Sequence, residues 1–464
     1  MHSSDNETIV AIATPIGEGA LAVIRVSGSH SLRLVDCVFR GRRPLVEAEG
    51  YTVHYGRIVN AGGELVDQVL ATVFRSPHSY SGEDSVEISC HGGTIVSSRI
   101  LDALIGSGAK QAEPGEFTKR AFLNGKMDLC QAEAVAELIS SRSVRAYKAS
   151  LDQLQGRLGK KVNMLRSKLL DLCSLLELEL DFSEEGIDLV PKPDVIARLG
   201  EIAKTISAML ESYESGRLYR DGIRVVLMGL PNVGKSSLFN ALLKEERAIV
   251  TQIPGTTRDV IEESVQISGV LFRISDTAGL RETADQVESE GILRARSNAA
   301  HADIALIVED CTEARPRDKV LQFLCNEGPP PAAVIARNKA DLLATFDHPP
   351  QSFEHGGVRG VEVYVSAKTG LGMNSLRETL SRLVFEEPAG NESSSLVTSK
   401  RHAEALGRAA SGINAALNLA NTGATNEIIA VELRDATAAL SEVTGEVTTE
   451  DILNNIFGRF CVGK

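Results

Sequence analysis

Residues 225–237 read VVLMGLPNVGKSS and decide the fold of the domain around them. An apolar run leads into the pattern G-x-x-x-x-G-K-S from Gly229 to Ser236, and residues 237–243 then look helical. A buried strand that ends in such a turn before a helix presents backbone amides and the positive helix end to phosphate. Lys235 is expected to reach the outer phosphates and the Ser236 hydroxyl to ligate Mg²⁺. The stretch therefore predicts a P-loop, rather than a glycine-rich turn followed by a surface lysine.

Three further motifs follow in the order expected of a GTPase, each after an apolar strand candidate. They are Asp276-Thr277-Ala278-Gly279, Asn338-Lys339-Ala340-Asp341 and Ser366-Ala367-Lys368. Asp276 is expected to hold Mg²⁺ through water, and the Gly279 amide to touch the outermost phosphate. The Asp341 carboxylate can accept from the ring N–H and the exocyclic amine of guanine, whereas adenine lacks this donor pair. Four motifs in this order predict a Ras-like P-loop GTPase domain with a parallel α/β sheet.

Residues 251–259, TQIPGTTRD, lie between the first two motifs and are predicted to form the first switch. Thr257 would close on Mg²⁺ when the third phosphate is present; the alternative is a plain surface loop. Leu280 stands where many related GTPases carry glutamine, so another polar group must orient the attacking water. Glu288 is our candidate for that group, with a solvated carboxylate on a helix face as the alternative. Asn232 is predicted to help hold a monovalent cation where negative charge develops.

The predicted nucleotide site is the sum of these motifs. The residues predicted to bind GTP are Asn232, Val233, Gly234, Lys235, Ser236, Ser237, Thr251, Gln252, Ile253, Pro254, Gly255, Thr256, Thr257, Asp276, Thr277, Ala278, Gly279, Asn338, Lys339, Asp341, Ser366, Ala367 and Lys368. The direct protein ligands predicted for Mg²⁺ are Ser236 and Thr257.

Bulk properties restrict the function classes. The chain has 464 residues, enough for about three domains, and a net charge of −13 with a pI near 5.3. No global basic field attracts nucleic acid, so an RNA partner would need a local patch or a partner protein. The seven cysteines are odd in number and lack metal-ligand spacing, which indicates a reduced, cytoplasmic setting. No segment has the pattern of a signal peptide or the length of a membrane span.

Hydrophobic periodicity predicts the domain order. The first 120 residues read as mixed α/β with several strands, and leucines recur from Leu151 to Leu180 at spacings of three and four, as in one long amphipathic helix. Strands are predicted in the GTPase domain at residues 225–228, 271–275, 304–308, 333–336 and 361–365. The predicted domains are an N-terminal α+β domain (1–120), a first helical part (121–221), the inserted GTPase domain (222–386) and a second helical part (387–464).

Several longer motifs are specific to one family. They are PGEFTKRAFLNGKMDL at 114–129, GTTRD at 255–259, DTAGLRE at 276–282, GEVTTEDIL at 445–453 and FCVGK at 460–464. Together with the helical flanks of the GTPase domain, they resemble the MnmE (TrmE) family of tRNA-modification GTPases over essentially the whole chain. The only visible variation in the terminal motif is Val462, where isoleucine is frequent.

The resemblance implies an N-terminal domain similar to one-carbon folate-binding folds, which also forms a homodimer. The family's folate contacts fall on Arg25, Glu87 and Lys126, with Lys464 reaching in. Basic side chains suit the glutamate carboxylates of a folate, and Glu87 suits the N–H groups of the pterin. Without the resemblance, Arg25 and Lys126 read as surface charges and Glu87 as an outward strand position. A catalytic role for Cys461 is a hypothesis beside a small buried tail residue.

The resemblance also places ions and hydrolysis. The family's potassium ligands fall on Asn232 and on the backbone of Thr251, Ile253 and Thr256. The family's acid for hydrolysis falls on Glu288. Potassium is expected to activate GTP hydrolysis by bringing two GTPase domains together.

The implied reaction adds an aminomethyl or carboxymethylaminomethyl group to carbon five of the wobble uridine of tRNA. An FAD-dependent partner protein is expected in a heterotetramer, and 5-formyltetrahydrofolate or a related tetrahydrofolate would supply the one-carbon unit. Two other function classes stay open. One is a regulatory GTPase that only binds partners, although the basic RNA-binding appendage expected there is missing from the sequence. The other is a folate-dependent transferase that acts alone and uses GTP only for regulation.

Overall fold

The computed structural model describes residues 7–181, 191–245, 262–276, 302–312, 332–344, 348–355, 358–384 and 396–464. The chain forms two compact units. The first unit comprises Met1–Ala136, Gln153–Ile196 and Ser411–Lys464, and the second comprises Glu137–Asp152 and Ala197–Ala410. The domain boundaries that the sequence suggests near residues 120, 221 and 386 stay predictions.

Helices and strands alternate along much of the chain. Up to residue 222 they are β1 (Ile9–Ile12), β2 (Leu21–Ser27), α1 (Ser31–Val38), β3 (Phe39–Gly41), β4 (Thr52–Val59), β5 (Leu65–Phe74), β6 (Ser85–His91), α2 (Thr94–Gly106), β7 (Lys110–Gln111), α3 (Glu116–Leu123), α4 (Leu129–Ser140), α5 (Val144–Leu154), α6 (Arg157–Asp181) and α7 (Lys192–Asp221). Then follow β8 (Ile223–Met228), α8 (Lys235–Glu245), β9 (Glu262–Ile267), β10 (Val270–Asp276), β11 (Ile304–Asp310), β12 (Ala332–Asn338), β13 (Gln351–His355), β14 (Val358–Tyr364), α9 (Met373–Val384), α10 (Lys400–Asn421), α11 (Asn426–Thr444) and α12 (Glu450–Phe457). Within the described ranges, no helix is both long and apolar enough to cross a membrane.

The first unit contains a seven-stranded sheet in the order β3-β4-β5-β6-β2-β1-β7. Neighbouring strands are antiparallel except β1 and β7, which run parallel. Strand residues alternate between faces, so Ile24 and Val26 are buried in the core that α1 and α2 cover. Arg25 consequently lies on the opposite face, directly across from Glu87 of β6.

The predicted long helix from Leu151 to Leu180 is wrong in one respect, because the structure divides it between α5 and α6. Gly156 has a left-handed backbone (φ 75°), which a helix interior does not accept and which glycine adopts readily. The side-chain amide of Gln131 donates to the Leu154 carbonyl at 2.8 Å, which satisfies one acceptor at the end of α5. Beyond the break, α6 keeps the predicted apolar face and packs along α11.

The second unit contains a seven-stranded sheet in the order β13-β14-β12-β11-β8-β10-β9. The five inner strands are parallel, and β9 and β13 pair antiparallel at the two ends. Each of the five strands predicted for the GTPase domain overlaps one of these inner strands. Because parallel strands end at the same edge, the segments after β8, β11, β12 and β14 meet there.

Candidate functional site

The segment between β8 and α8 has the shape predicted for a P-loop. Gly229 has φ 149°, and a Cβ atom added there would lie 2.3 Å from the Val308 carbonyl oxygen, so only glycine fits. The helix α8 begins at Lys235, and the exposed Ser236 and Ser237 follow in its first turn. The Lys235 ammonium donates to the carbonyls of Gly229 and Leu230 at 2.9 and 2.8 Å. The loop, the helix start and the lysine thus lie together as an anion-binding arrangement.

Asn338 connects three segments at the carboxyl edge of the second unit's sheet. Its side-chain amide donates to the Val233 carbonyl at 2.9 Å, and its side-chain oxygen accepts from the Ala367 amide at 3.1 Å. The residue is only 3% exposed, so both bonds are protected from water. The Ser366 hydroxyl donates to the Asp341 carboxylate at 2.5 Å. The structure thereby brings the P-loop and both predicted guanine-binding segments together.

Two predicted members of this site lie at its border. The side chain of Lys368 is exposed, and Lys339 adopts a left-handed backbone with φ 65°. The Lys339 ammonium lies 2.6 Å from a carboxylate oxygen of Asp310, a buried residue that ends β11. The sequence reading missed Asp310, although its place at a strand end beside the P-loop strand is a usable signal.

A second cluster of charged groups lies on one face of the first unit's sheet. The Arg25 guanidinium pairs with Glu87, with its Nε and Nη2 at 2.9 and 2.8 Å from one carboxylate oxygen. Its Nη1 donates to the Gly463 carbonyl at 3.5 Å, which brings the C-terminal residues to β2. The side chains of Arg25 and Glu87 are 13% and 29% exposed, so the pair is partly shielded from solvent. Arg25 is therefore not the surface charge that its sequence context alone indicates.

Aromatic rings line the same cluster. The Arg25 guanidinium lies over the rings of Tyr80 and Phe117, at 4.8 and 5.6 Å from their centroids. The Lys464 ammonium lies 6.0 Å from the centroid of the Tyr80 ring. Burial lowers the pKa of Lys464, the nearby Arg25 charge lowers it further, and Glu87 acts in the opposite direction. A half-buried lysine next to an arginine favours an anionic ligand, which would relieve the repulsion.

Tyr80 is held in place by its neighbours in the chain. Its hydroxyl bonds the Thr118 hydroxyl at 2.9 Å, and burial raises the pKa of this phenol. Ser27 bonds Ser81 at 2.6 Å and Glu83 at 2.7 Å, which fixes the segment that carries the ring.

Lys126 approaches that segment from the other side. The Lys126 ammonium donates to the Pro77 carbonyl at 2.9 Å, and its aliphatic stem lies beside Gly82. The structure thus joins Arg25, Glu87 and Lys464 directly, and brings Lys126 to the 77–82 segment that holds Tyr80.

Comparison with known sequences decides the family. The MnmE helical domain model matches residues 129–461, and the model for the N-terminus of the GTP-binding protein TrmE matches residues 8–126. This chain belongs to the MnmE (TrmE) family. The prediction of the family from sequence is confirmed, as are the fold class and the enzyme class, a GTP hydrolase.

Curated members of the MnmE family are similar to this chain from end to end. The tRNA modification GTPase MnmE of Chlorobium phaeobacteroides is 43% identical, over 99% of this chain and 97% of its own length. The MnmE of Chlorobaculum tepidum is 43% identical over 98% of this chain and 97% of its own length. That of Salinibacter ruber is 42% identical over 99% of this chain and all of its own length (100%).

Several residues predicted for the MnmE-type site lie outside the described residues. They are Thr251, Gln252, Ile253, Pro254, Gly255, Thr256, Thr257, Thr277, Ala278, Gly279 and Glu288. The backbone of Asp276 ends β10 at the edge of the sheet. Among the described residues, no cluster of histidine, cysteine or acidic side chains has the arrangement of a metal site. Of the predicted ion ligands, the structure describes Ser236 and Asn232, both exposed on the P-loop side of α8.

The C-terminal tail of this family member corrects one prediction. Cys461 is exposed, not the small buried residue that the sequence favoured. The buried anchors are instead Phe460, which packs against Phe457, and Gly463. A Cβ atom on Gly463 would lie 2.4 Å from the Ile12 carbonyl oxygen, and its φ of 97° also favours glycine. The tail therefore packs against β1 through its glycine, while the thiol faces solvent.

Proposed function

We propose that this chain hydrolyses GTP during modification of the tRNA wobble uridine, together with an FAD-dependent partner protein. The modification is an aminomethyl or carboxymethylaminomethyl group on carbon five, and a tetrahydrofolate supplies the one-carbon unit. The observation that carries the proposal is the presence of two sites in one MnmE-family chain. One is the P-loop with its guanine-binding segments, and the other is the Arg25–Glu87–Lys464 cluster.

The GTP part rests on the geometry of the second unit. Backbone amides of the P-loop and the Lys235 ammonium would bind the phosphates, and Asp341 would accept hydrogen bonds from guanine. Ser236 is exposed in the first turn of α8, where its hydroxyl is accessible to a cation beside the phosphates. We assign Mg²⁺ to Ser236 and Thr257, with Asp276 acting through water. The ion would supply positive charge to the phosphate oxygens.

Hydrolysis needs two further functions from this chain. Glu288 would orient the attacking water, because Leu280 has no polar group for that task. Asn232 is exposed and left-handed (φ 63°), so its side chain projects from the loop rather than packing in the core. We assign it to K⁺ together with the backbone of Thr251, Ile253 and Thr256. The cation would add positive charge near the phosphates and join two GTPase domains.

The folate part rests on the first unit. Arg25 and Lys464 present two cations next to one carboxylate, Glu87, and to the ring of Tyr80. The cations suit the glutamate carboxylates of 5-formyltetrahydrofolate, the carboxylate suits the N–H groups of its pterin, and the ring offers a stacking surface. Lys126, at the segment that carries Tyr80, would add a further cation.

Partners follow from the family and from charge. We propose a homodimer formed by the N-terminal domain and a heterotetramer with the FAD-dependent protein, working on tRNA in the cytoplasm. With a net charge of −13, this chain has no global field that attracts RNA. The partner protein would therefore provide much of the tRNA contact.

The decisive experiment is deletion of the gene, followed by mass spectrometry of tRNA nucleosides. The modified wobble uridines should disappear and return with the wild-type gene, but not with Lys235→Ala. Normal wobble uridines in the deletion strain would sink the proposed function.

Two assays separate the other function classes. A regulatory GTPase that only binds partners has no use for folate, so folate binding that is lost in Arg25→Ala argues against it. A transferase that acts alone would modify tRNA without the FAD-dependent protein, whereas we expect no modification until that protein is added.

A further inference from the structure

The carboxylate of Asp310 is held from several directions. One oxygen accepts from the backbone amide and the hydroxyl of Thr312 at 3.0 and 2.7 Å. The other lies 2.6 Å from the Lys339 ammonium. The Asp310 side chain is 7% exposed and that of Lys339 is 37% exposed, so the pair spans the boundary between the sheet and solvent.

Electrostatics favours the charged form of Asp310. Burial alone would raise the pKa of this carboxyl, but hydrogen bonds from Lys339 and from Thr312 hold it below its usual value. The ion pair therefore exists at neutral pH. A buried carboxylate whose lone pairs are all used has one defined orientation, and it imposes a defined position on the ammonium.

The backbone of Lys339 needs such an anchor. It is left-handed, with φ 65° and ψ 30°, a conformation that costs a residue with a Cβ atom about 1 kcal/mol. Its neighbours in the chain are fixed independently. Asn338 is bonded to Val233 and to Ala367, and Asp341 is bonded to Ser366. Lys339 is the member of the segment whose anchor comes from β11.

We propose that Asp310 is a positioning residue for guanine recognition. It holds Lys339, and through it the 338–341 segment, in the conformation that receives the base. The inference rests on the proposed GTP site at this segment. Asp310 itself does not touch the nucleotide; Lys339 does, and Asp310 spares the complex the cost of ordering a long, flexible side chain.

A second group of charges on the same strands has a different role. Arg337 lies between Glu309 and Glu362 at 3.0 and 2.9 Å, and all three side chains are buried. Because neighbouring residues of a strand point to opposite faces, this triad lies on the other face from the Asp310–Lys339 pair. It joins β11, β12 and β14 within the sheet and does not face the guanine-binding segment.

The test is a double-mutant cycle on the full chain, with a fluorescent GDP analogue as the probe. Asp310→Asn should weaken binding about tenfold, since it removes one charge-assisted bond but keeps the shape. The Km for GTP should rise by a similar factor while kcat at saturating GTP stays unchanged. If Asp310 acts through Lys339, Asp310→Asn/Lys339→Ala should bind no more weakly than Lys339→Ala, within about twofold.

The matched control removes another ion pair of the same unit. Glu354 pairs with Arg359 at 3.6 Å on the surface, with side chains 66% and 82% exposed. Glu354→Gln should leave the binding constant unchanged. Should Asp310→Asn fail to fold, Thr312→Val tests the same idea, because it removes the 2.7 Å hydroxyl bond and keeps the charge. We expect it to weaken binding about threefold.

Three results would overturn the proposal. They are unchanged binding in a folded Asp310→Asn, penalties of Asp310→Asn and Lys339→Ala that add in full, and a fall in kcat with an unchanged Km. Failure of the proposed GTP site looks different, because the wild-type chain itself would then not bind the GDP analogue.

Discussion

The two candidate sites of this chain are built in opposite ways. The P-loop of the second unit is continuous in sequence, and backbone geometry at positions such as Gly229 shapes it. The Arg25–Glu87–Lys464 cluster of the first unit consists of side chains from distant parts of the chain; Arg25 and the bonded Gly463 are 438 residues apart. A continuous site can be damaged by one local change, whereas an assembled site depends on the packing of each contributing segment. Four predictions test this difference.

The largest effect is expected from Gly229→Ala. The new Cβ atom would lie 2.3 Å from the Val308 carbonyl, at a φ of 149° that alanine does not accept, so the loop must move. Binding of the GDP analogue should weaken about 100-fold or more, while 5-formyltetrahydrofolate binding stays unchanged. Gly200→Ala is the control, because nothing lies within 4 Å of its Cβ position in α7. Tight binding of GDP by Gly229→Ala would contradict the close approach of Gly229 to Val308.

Gly463→Ala should produce the opposite pattern. Its Cβ atom would lie 2.4 Å from the Ile12 carbonyl, which displaces the tail and with it Lys464. Titration calorimetry should show folate binding about tenfold weaker and GDP binding unchanged. Gly106→Ala, with open space at its Cβ position, serves as the control in the same unit. Unchanged folate affinity would mean that the tail plays no part in the site.

Asn232→Ala tests the potassium assignment within the continuous site. GTP hydrolysis by the wild-type chain should rise severalfold with K⁺ but not with Na⁺, and the variant should lose this stimulation, because the amide oxygen is one of the proposed ligands. GDP affinity should change little. Asn240→Ala, an exposed asparagine of α8, should keep the stimulation. A variant that still responds to K⁺ would refute the assignment of Asn232.

The smallest effect is a pH dependence of the assembled site. Burial and Arg25 lower the pKa of Lys464, so its charge is lost as pH rises through a value below that of an ordinary lysine. The charged form attracts the anionic folate, and affinity should therefore fall about threefold as the pH rises across that range. Lys464→Arg should remove the dependence, since arginine keeps its charge. An equal slope in both proteins would assign the titration to another group.

The continuous site was the easier one to predict. The strand before the P-loop, the motif itself and the segment at Asn338 are all visible as short patterns, and the parallel sheet brings them together as expected. The sequence reading missed Asp310 and Tyr80, since neither belongs to a pattern whose spacing indicates a contact with Lys339 or Arg25. It also joined α5 and α6 into one helix, because the leucine periodicity continues across Gly156.

By itself, the sequence determined the nature of the GTPase domain, because motif residues next to each other in the chain stay next to each other in space. It determined the family as well, through the motifs at both ends of the chain. Only the tertiary structure decided that Arg25 lies under Tyr80 beside Lys464, that Cys461 faces solvent and that Asp310 holds Lys339. The physical reason is that burial and charge pairing depend on which distant segments pack together, and no local pattern records that packing.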